Sequence, residues 1–240
     1  MRTGPAFVLL TLLAISLPRL GDANPSLQWS PFKALYAIGR SNLTVGETTL
    51  TLDKPAQGHY RYSAITRPVG IARWFTKGHT QEESEGRLTP TGVLPERYLF
   101  IRNSSDPRQE RIEFDWTRSQ ARGESDGKSW QHPLQQGLQD GIAYQLEVMR
   151  AFACGARQLD LEVADGHSSD HYHFELLGKE TVKTPAGRFK ALKIIRAKEG
   201  EKPNYTFWLA PEAGYLPVRI YRHDKNVAMA LKKLKGRPLN

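Results

Sequence analysis

A chain of 240 residues, 39% of them hydrophobic, is long enough to bury a sizeable core without covalent help, and Cys154, its only cysteine, has no internal partner to bridge. Lysine and arginine number 34 against 25 aspartate and glutamate, a formal net charge of +9 at pH 7, which favours acidic partners such as lipid headgroups or anionic polymers. Beyond the first two dozen residues no run is apolar and long enough to span a bilayer, so a polytopic helical membrane protein is excluded.

The N-terminus has the layout of a secretory signal. Met1-Arg2-Thr3 is a short positive start, Ala6 to Leu17 is an apolar run of twelve residues, and Gly21-Asp22-Ala23 places small residues around a cleavage site. A membrane span needs about 20 apolar residues, so residues 1–23 read as a cleaved signal peptide rather than an anchor. No cysteine follows the run, so the exported chain is not expected to be a lipoprotein. The expected location is the periplasm of a bacterial-type envelope, with residues 24–240 as one β-rich domain that does not span the membrane. Export disfavours nucleic acid as a partner.

Strand patterns follow in order, punctuated by glycine and proline. Phe32 to Ile38 is the first. From Asn42 to Leu52 the residues Leu43, Val45, Thr48, Leu50 and Leu52 suggest a hairpin with Gly46-Glu47 near its turn, and Tyr60 to Ile65 alternates again. Glu82, Glu83 and Glu85 read as part of a solvated loop. Arg97 to Arg102 and Arg111 to Trp116 are strands around the turn-rich Asn103-Ser104-Ser105-Asp106-Pro107. The rhythm breaks from Pro133 to Cys154, where Leu134, Leu138, Ile142, Leu146 and Met149 recur at helical spacing. Pro133 suits the first turn of a helix and Gly155 its end, and Gly137 and Gly141 each weaken it by about 1 kcal/mol. Cys154, at an apolar helix end, reads as a buried structural cysteine. Strands resume at Leu159 to Val163, His171 to Leu177, Glu180 to Lys183, Arg188 to Arg196, Tyr205 to Leu209 and Leu216 to Arg222. Lys232, Lys233, Lys235 and Arg237 make a basic C-terminal tail, either solvated or a binding patch. The expected fold is therefore mainly β: a curved antiparallel sheet or (half-)barrel with one inserted helical segment around residues 133–154.

The segments Thr184 to Lys193 (TPAGRFKALK) and Phe207 to Ile220 (FWLAPEAGYLPVRI) resemble the C-terminal signature of the exported bacterial proteins grouped as domain of unknown function 3108. Phe32 to Ala37 and Leu88 to Tyr98 fit the same pattern, so the resemblance covers nearly all of the chain after residue 23. It implies an envelope location and a β-rich fold, and brings no catalytic residue with it. In physical terms Thr184-Pro185-Ala186-Gly187 and Ala210 to Gly214 are turns. A curved sheet with a helix laid across it is also similar to the half-barrels of periplasmic lipoprotein carriers and envelope-stress sensors, which hold acyl chains between sheet and helix. That likeness is one of fold, not of function.

Two constellations carry candidate chemistry. His171 and His173 share one strand face, and His167 or Asp170 would complete a nitrogen and oxygen ligand set for a metal. The alternative is that Tyr172, Phe174 and Leu176 form the apolar face and the histidines face solvent. The second constellation is aromatic: Trp74, Phe75, Trp130 and Tyr144, with Arg73 or Lys77 at the mouth of an apolar pocket that would suit an amphiphile with an anionic head. Their alternative is an ordinary core. No Gly-x-Ser-x-Gly elbow or cofactor motif is present. The leading expectation is a non-enzymatic periplasmic binding or envelope-support protein holding a lipid or other amphiphile in a half-barrel groove. Beside it stand an interaction module for another envelope protein or cell-wall polymer, and a metal-dependent hydrolase using the His167–His173 cluster.

Overall fold

The computed structural model describes residues 27–40, 43–75, 78–165, 168–198 and 200–239. The expected signal peptide, Lys77 and His167 lie outside the described residues. Fourteen strands form one curved antiparallel sheet that does not close. In chain order they are β1 (Phe32–Arg40), β2 (Leu43–Asp53), β3 (His59–Pro68), β4 (His79–Leu88), β5 (Val93–Asn103), β6 (Arg108–Asp115), β7 (Gln120–Ser125), β8 (Lys128–Pro133), β9 (Gln158–Asp165), β10 (Ser168–Thr184), β11 (Gly187–Lys198), β12 (Tyr205–Ala210), β13 (Leu216–Arg222) and β14 (Val227–Gly236). Among the described residues two helices interrupt them, α1 (Ala72–Phe75) between β3 and β4 and α2 (Tyr144–Ala153) between β8 and β9. Each strand pairs with its sequence neighbours except at two places. The first and last strands, β1 and β14, pair in the middle of the sheet, and consecutive β8 and β9 are its two edges.

Most strands lie where alternation places them, and the exceptions have physical causes. Gly46 and Glu47 sit inside β2, which runs unbroken from Leu43 and pairs on both sides, so the expected hairpin is one strand. The polar stretch HTQEESEGRL is strand β4 rather than a loop. Its inward positions carry Ser84, which is buried and hydrogen-bonded, and Gly86, while Glu85 faces outward to Arg61 and Arg97. The basic tail is strand β14, held between β1 and β13, with Lys232 paired to Glu47 at 2.5 Å. The two predicted turns are both present: Gly187 has φ +138°, and a 3-10 turn at Pro211–Ala213 ends on Gly214 with φ +66°.

The inserted helix is shorter than its apolar periodicity suggests. Pro133 ends β8, Gly137 takes φ +82°, and residues 134–143 form turns before α2 begins. That connector crosses the concave side of the sheet as a brace. The Gln139 backbone bridges to β9 through Glu162 and Ala164 at 2.9 and 2.8 Å, and its side-chain amide donates to the Val93 carbonyl of β5 at 2.9 Å. The Val93 amide in turn donates to Glu147 of α2 at 3.0 Å. Leu138, Ile142, Leu146 and Met149 join the larger apolar core with Tyr36, Leu52, Tyr60 and Ile112, whereas Tyr144, Val148 and Phe152 pack with Phe174, Ile194 and Phe207. Helix α2 is thus buried on both sides. Each large apolar side chain so buried is worth about 1.5–3 kcal/mol. Cys154, expected inside, caps the helix and is exposed, because the chain turns outward there.

A buried polar network anchors the brace. Asp140 has no exposed surface; its carboxylate accepts from the amides of Ile142 and Ala143 at 3.0 and 2.7 Å and from the Ser84 hydroxyl at 2.5 Å, and Ser84 lies 2.9 Å from the Tyr60 hydroxyl. The Tyr98 hydroxyl points toward Glu82 at 3.4 Å. Burial pushes the Glu82 carboxyl up to about 7, with the neighbouring Asp140 charge adding to it. Burial raises Asp140 to about 6, against the opposing pull of Ser84 and the two amides.

Two outcomes test this core. Gly141 has room for no side chain, since a Cβ there would meet the Tyr98 hydroxyl at 2.7 Å. Gly141→Ala is expected to cost about 1–3 kcal/mol in urea unfolding. The raised carboxyls mean that the native state holds protons the unfolded chain has released. Stability conferred by the protonated forms is full below the unfolded values near 4 and is lost as pH rises through about 6 to 7. Glu82→Gln should therefore leave the unfolding free energy unchanged at pH 4 and raise it at pH 8, by on the order of 1–2 kcal/mol in urea unfolding. An equal shift at both pH values would show that Glu82 is not a buried acid.

Candidate anion-binding cleft

Hairpin connections alternate between the two ends of the sheet. One end carries the connections β1–β2, β3–β4, β5–β6, β7–β8, β9–β10, β11–β12 and β13–β14. A cleft of about 340 Å³ opens there, between the two halves of the sheet. Tyr98 and Glu110 line it from one half, Gly141 and Tyr144 from the brace and α2, and Tyr172, Arg196, Tyr205 and Arg222 from the other half.

Arg196 is the centre of the cleft. It falls on the inward phase of β11, shared with Leu192 and Ile194, and is only 6% exposed. Its guanidinium lies 4.1 Å from the Tyr172 ring centroid on β10 and 4.0 Å from that of Tyr205, its register partner on β12. The cation is therefore sandwiched between two aromatic faces, with Tyr144 a third ring at 5.9 Å. Desolvated contacts of this kind are worth about 2 kcal/mol. Its hydrogen bonds go to one neutral acceptor, the Asn204 side-chain oxygen, at 3.4 and 3.3 Å. No carboxylate among the described residues pairs with it. A guanidinium keeps its charge in proteins, and a buried charge without a counter-charge is costly. Burial pushes the Tyr144 phenol up to about 12, while the Arg196 charge pulls it down.

The flanking cations are neutralised in place. Lys198 pairs with Asp170 at 2.6 Å, and Arg222 with Asp224 at 2.7 and 2.9 Å. The cleft thus presents flanking cations already paired and, at its centre, one buried cation with no carboxylate partner among the described residues.

The residues singled out from sequence are dispersed. Tyr144 belongs to the cleft. Trp130 lies on β8, facing a separate space of about 460 Å³ between the sheet's edges, with His132, Leu138 and Ala164. Arg73, Trp74 and Phe75 lie on α1, in the β3–β4 connection. The histidine constellation is divided by strand alternation. His171 and His173 face outward, where His171 contacts Glu162 and Asp160 at 3.0 and 3.3 Å and His173 contacts Asp160 at 2.8 Å. The hydrogen bond to Glu162 holds His171 above the usual imidazole range. Asp170 points inward to Lys198, so it does not join them. Among the described residues no group of three or more His, Cys, Asp and Glu side chains is placed to hold a metal ion. Sequence reading passed over Arg196, although its position in the apolar phase of β11 was a visible signal. The contacts of Tyr205 and Asn204 with Arg196 depend on register that only the sheet supplies.

Comparison with solved structures gives the same architecture. The crystal structure of a beta-barrel-like protein of domain of unknown function DUF1849 from Brucella abortus superposes with a TM-score of 0.54 at 12% identity, over 88% of this chain and 98% of that one. At that identity the likeness is one of fold. No curated protein matches. The sequence profile of the protein family of unknown function DUF3108 matches residues 32–227, and the chain belongs to that family.

Proposed function

We propose that this is an exported, non-enzymatic binding protein of the periplasm that holds an anionic amphiphile by its head at Arg196. The observation that supports the reading is the buried guanidinium, stacked between Tyr172 and Tyr205 and paired with no carboxylate among the described residues; the two carboxylates that line the cleft are engaged elsewhere, Asp170 with Lys198 and Glu110 with Arg108. A bound phosphate or carboxylate would supply the missing charge through short, paired hydrogen bonds. The space beneath α2 is filled by Leu146, Val148, Met149 and Phe152, so an acyl chain does not lie under the helix as a half-barrel carrier would hold it. The cleft accommodates the head, and the apolar part stays at its mouth.

Titration calorimetry with monomeric short-chain lysophosphatidylglycerol, against a neutral maltoside of equal chain length, tests this. Binding of the anionic probe alone is expected. Arg196→Met should weaken it at least tenfold, because a charge-assisted bond is worth about 1.5–3 kcal/mol. The melting temperature should stay within a few degrees, since replacing a buried charge by an apolar side chain is often neutral. Equal affinity for both probes, or a collapse of the fold in Arg196→Met, would assign Arg196 to structure instead.

A further inference from the structure

The end of the sheet that bears the cleft also carries an exposed apolar cluster. Four large hydrophobic side chains are exposed among the described residues, and three lie close together there, Leu43 (62% exposed) at the start of β2 and Ile71 (65%) and Trp74 (84%) between β3 and β4. The start of β2 and the end of β3 are joined through Val69, whose amide donates to the Val45 carbonyl at 3.1 Å, and through Gly46, which faces Pro68 across the two strands. A Cβ on Gly70 would lie 3.8 Å from the Thr44 carbonyl, so Leu43 and Ile71 flank a close approach of the two segments. Single exposed hydrophobics are ordinary, but three in one patch mark a surface that meets something.

Charge identifies the occupant. Arg40, Arg67 and Arg73 are exposed around the same patch, and none has a carboxylate partner among the described residues. An apolar protein surface would leave three cations facing it unmatched. An anionic lipid surface meets both demands: tryptophan settles at the boundary of headgroups and acyl chains, and each basic side chain near such a surface contributes about 1 kcal/mol. No helix of the described residues is long and apolar enough to cross a membrane, so any attachment by this patch is peripheral. We propose that the tip formed by Leu43, Ile71 and Trp74, with Arg40, Arg67 and Arg73 around them, docks on a membrane rich in anionic lipid. The consequence for ligand capture rests on the cleft reading above. Arg222, on the cleft wall, leads through residues 223–226 to Val227, the register partner of Arg40. Docking by the tip would set the mouth of the cleft beside the headgroups it takes.

Flotation of the full chain with vesicles of 30 mol% phosphatidylglycerol in phosphatidylcholine, and with pure phosphatidylcholine, tests the proposal. The protein should float with the anionic vesicles and remain below with the neutral ones. Leu43→Ser combined with Ile71→Ser and Trp74→Ser should lower the bound fraction at least tenfold with an unchanged melting temperature, since all three side chains are already in solvent. Arg40→Glu with Arg67→Glu and Arg73→Glu should do the same. Arg196→Met should float like the unaltered protein while losing the short-chain lipid in calorimetry, which separates failure of the tip from failure of the cleft. Undiminished flotation of both tip variants, or equal flotation on neutral vesicles, would overturn the proposal. Absence of flotation together with a defined protein bound only by the unaltered tip would assign the patch to a protein partner instead.

Discussion

A curved sheet whose two outer strands do not meet must be filled from its concave side, and here the filling is the chain that links those very strands. The residues between β8 and β9 pass from one edge, through the Gln139 bridge to β9, into α2 and back. An isolated ten-residue helix is marginal in water, and this one has the support of two apolar clusters on opposite flanks. Gln139, Asp140 and Glu147 tie the same segment to β4 and β5. Helix and sheet are therefore mutually dependent. Without α2 the inner faces of both halves would be wet; without the sheet the helix would not form.

The polar groups within this interior are arranged asymmetrically. Acidic side chains Glu82, Asp140 and Glu110 belong to the β4–β6 side and the brace, and the Arg196 cation to the β10–β12 side. Were the two charges in contact they would neutralise each other and the interior would be inert. Tyr98 and Tyr144 stand at the cleft between these groups. The separation leaves the cation without a carboxylate partner among the described residues, and burial holds the Glu82 and Asp140 carboxyls above the usual range. Both conditions cost stability that the large apolar interior offsets, and side chains retained at such a cost cluster at functional sites.

Much of the fold was legible in the sequence, because alternation is a direct record of which face is buried. Tyr60-Arg61-Tyr62, Leu159 to Val163 and Tyr205 to Leu209 announce their strands, and Pro185 and Gly214 their turns. The signal failed where inward positions are not apolar. Strand β4 buries Ser84 beside the Asp140 carboxylate, so its sequence resembles solvated loop. The helix was overextended for the opposite reason: Leu134 and Leu138 keep an apolar period through residues that the Gly137 backbone holds in turns. The cleft was the least legible part. A strand shows that Arg196 points inward, but not that Tyr172 and Tyr205 from its two neighbouring strands close over it. The histidines show the converse, since closeness along one strand sends Asp170 and His171 to opposite faces.

The pairing of β1 with β14, from Phe32 opposite Gly236 to Arg40 opposite Val227, places the first and last strands of the described residues at the centre of the sheet. Contacts of that sequence separation carry the largest loop-closure entropy in the molecule and slow its folding. A chain delivered with its N-terminus leading can build the meander from β1 to β8 early, yet the inner edge of β1 stays unsatisfied until β14 arrives. During that interval the exposed edge is a template for mispairing. The last strand to emerge is the one that joins the halves. Loss of β14 would accordingly split the sheet at its middle, where loss of an edge strand would fray a margin.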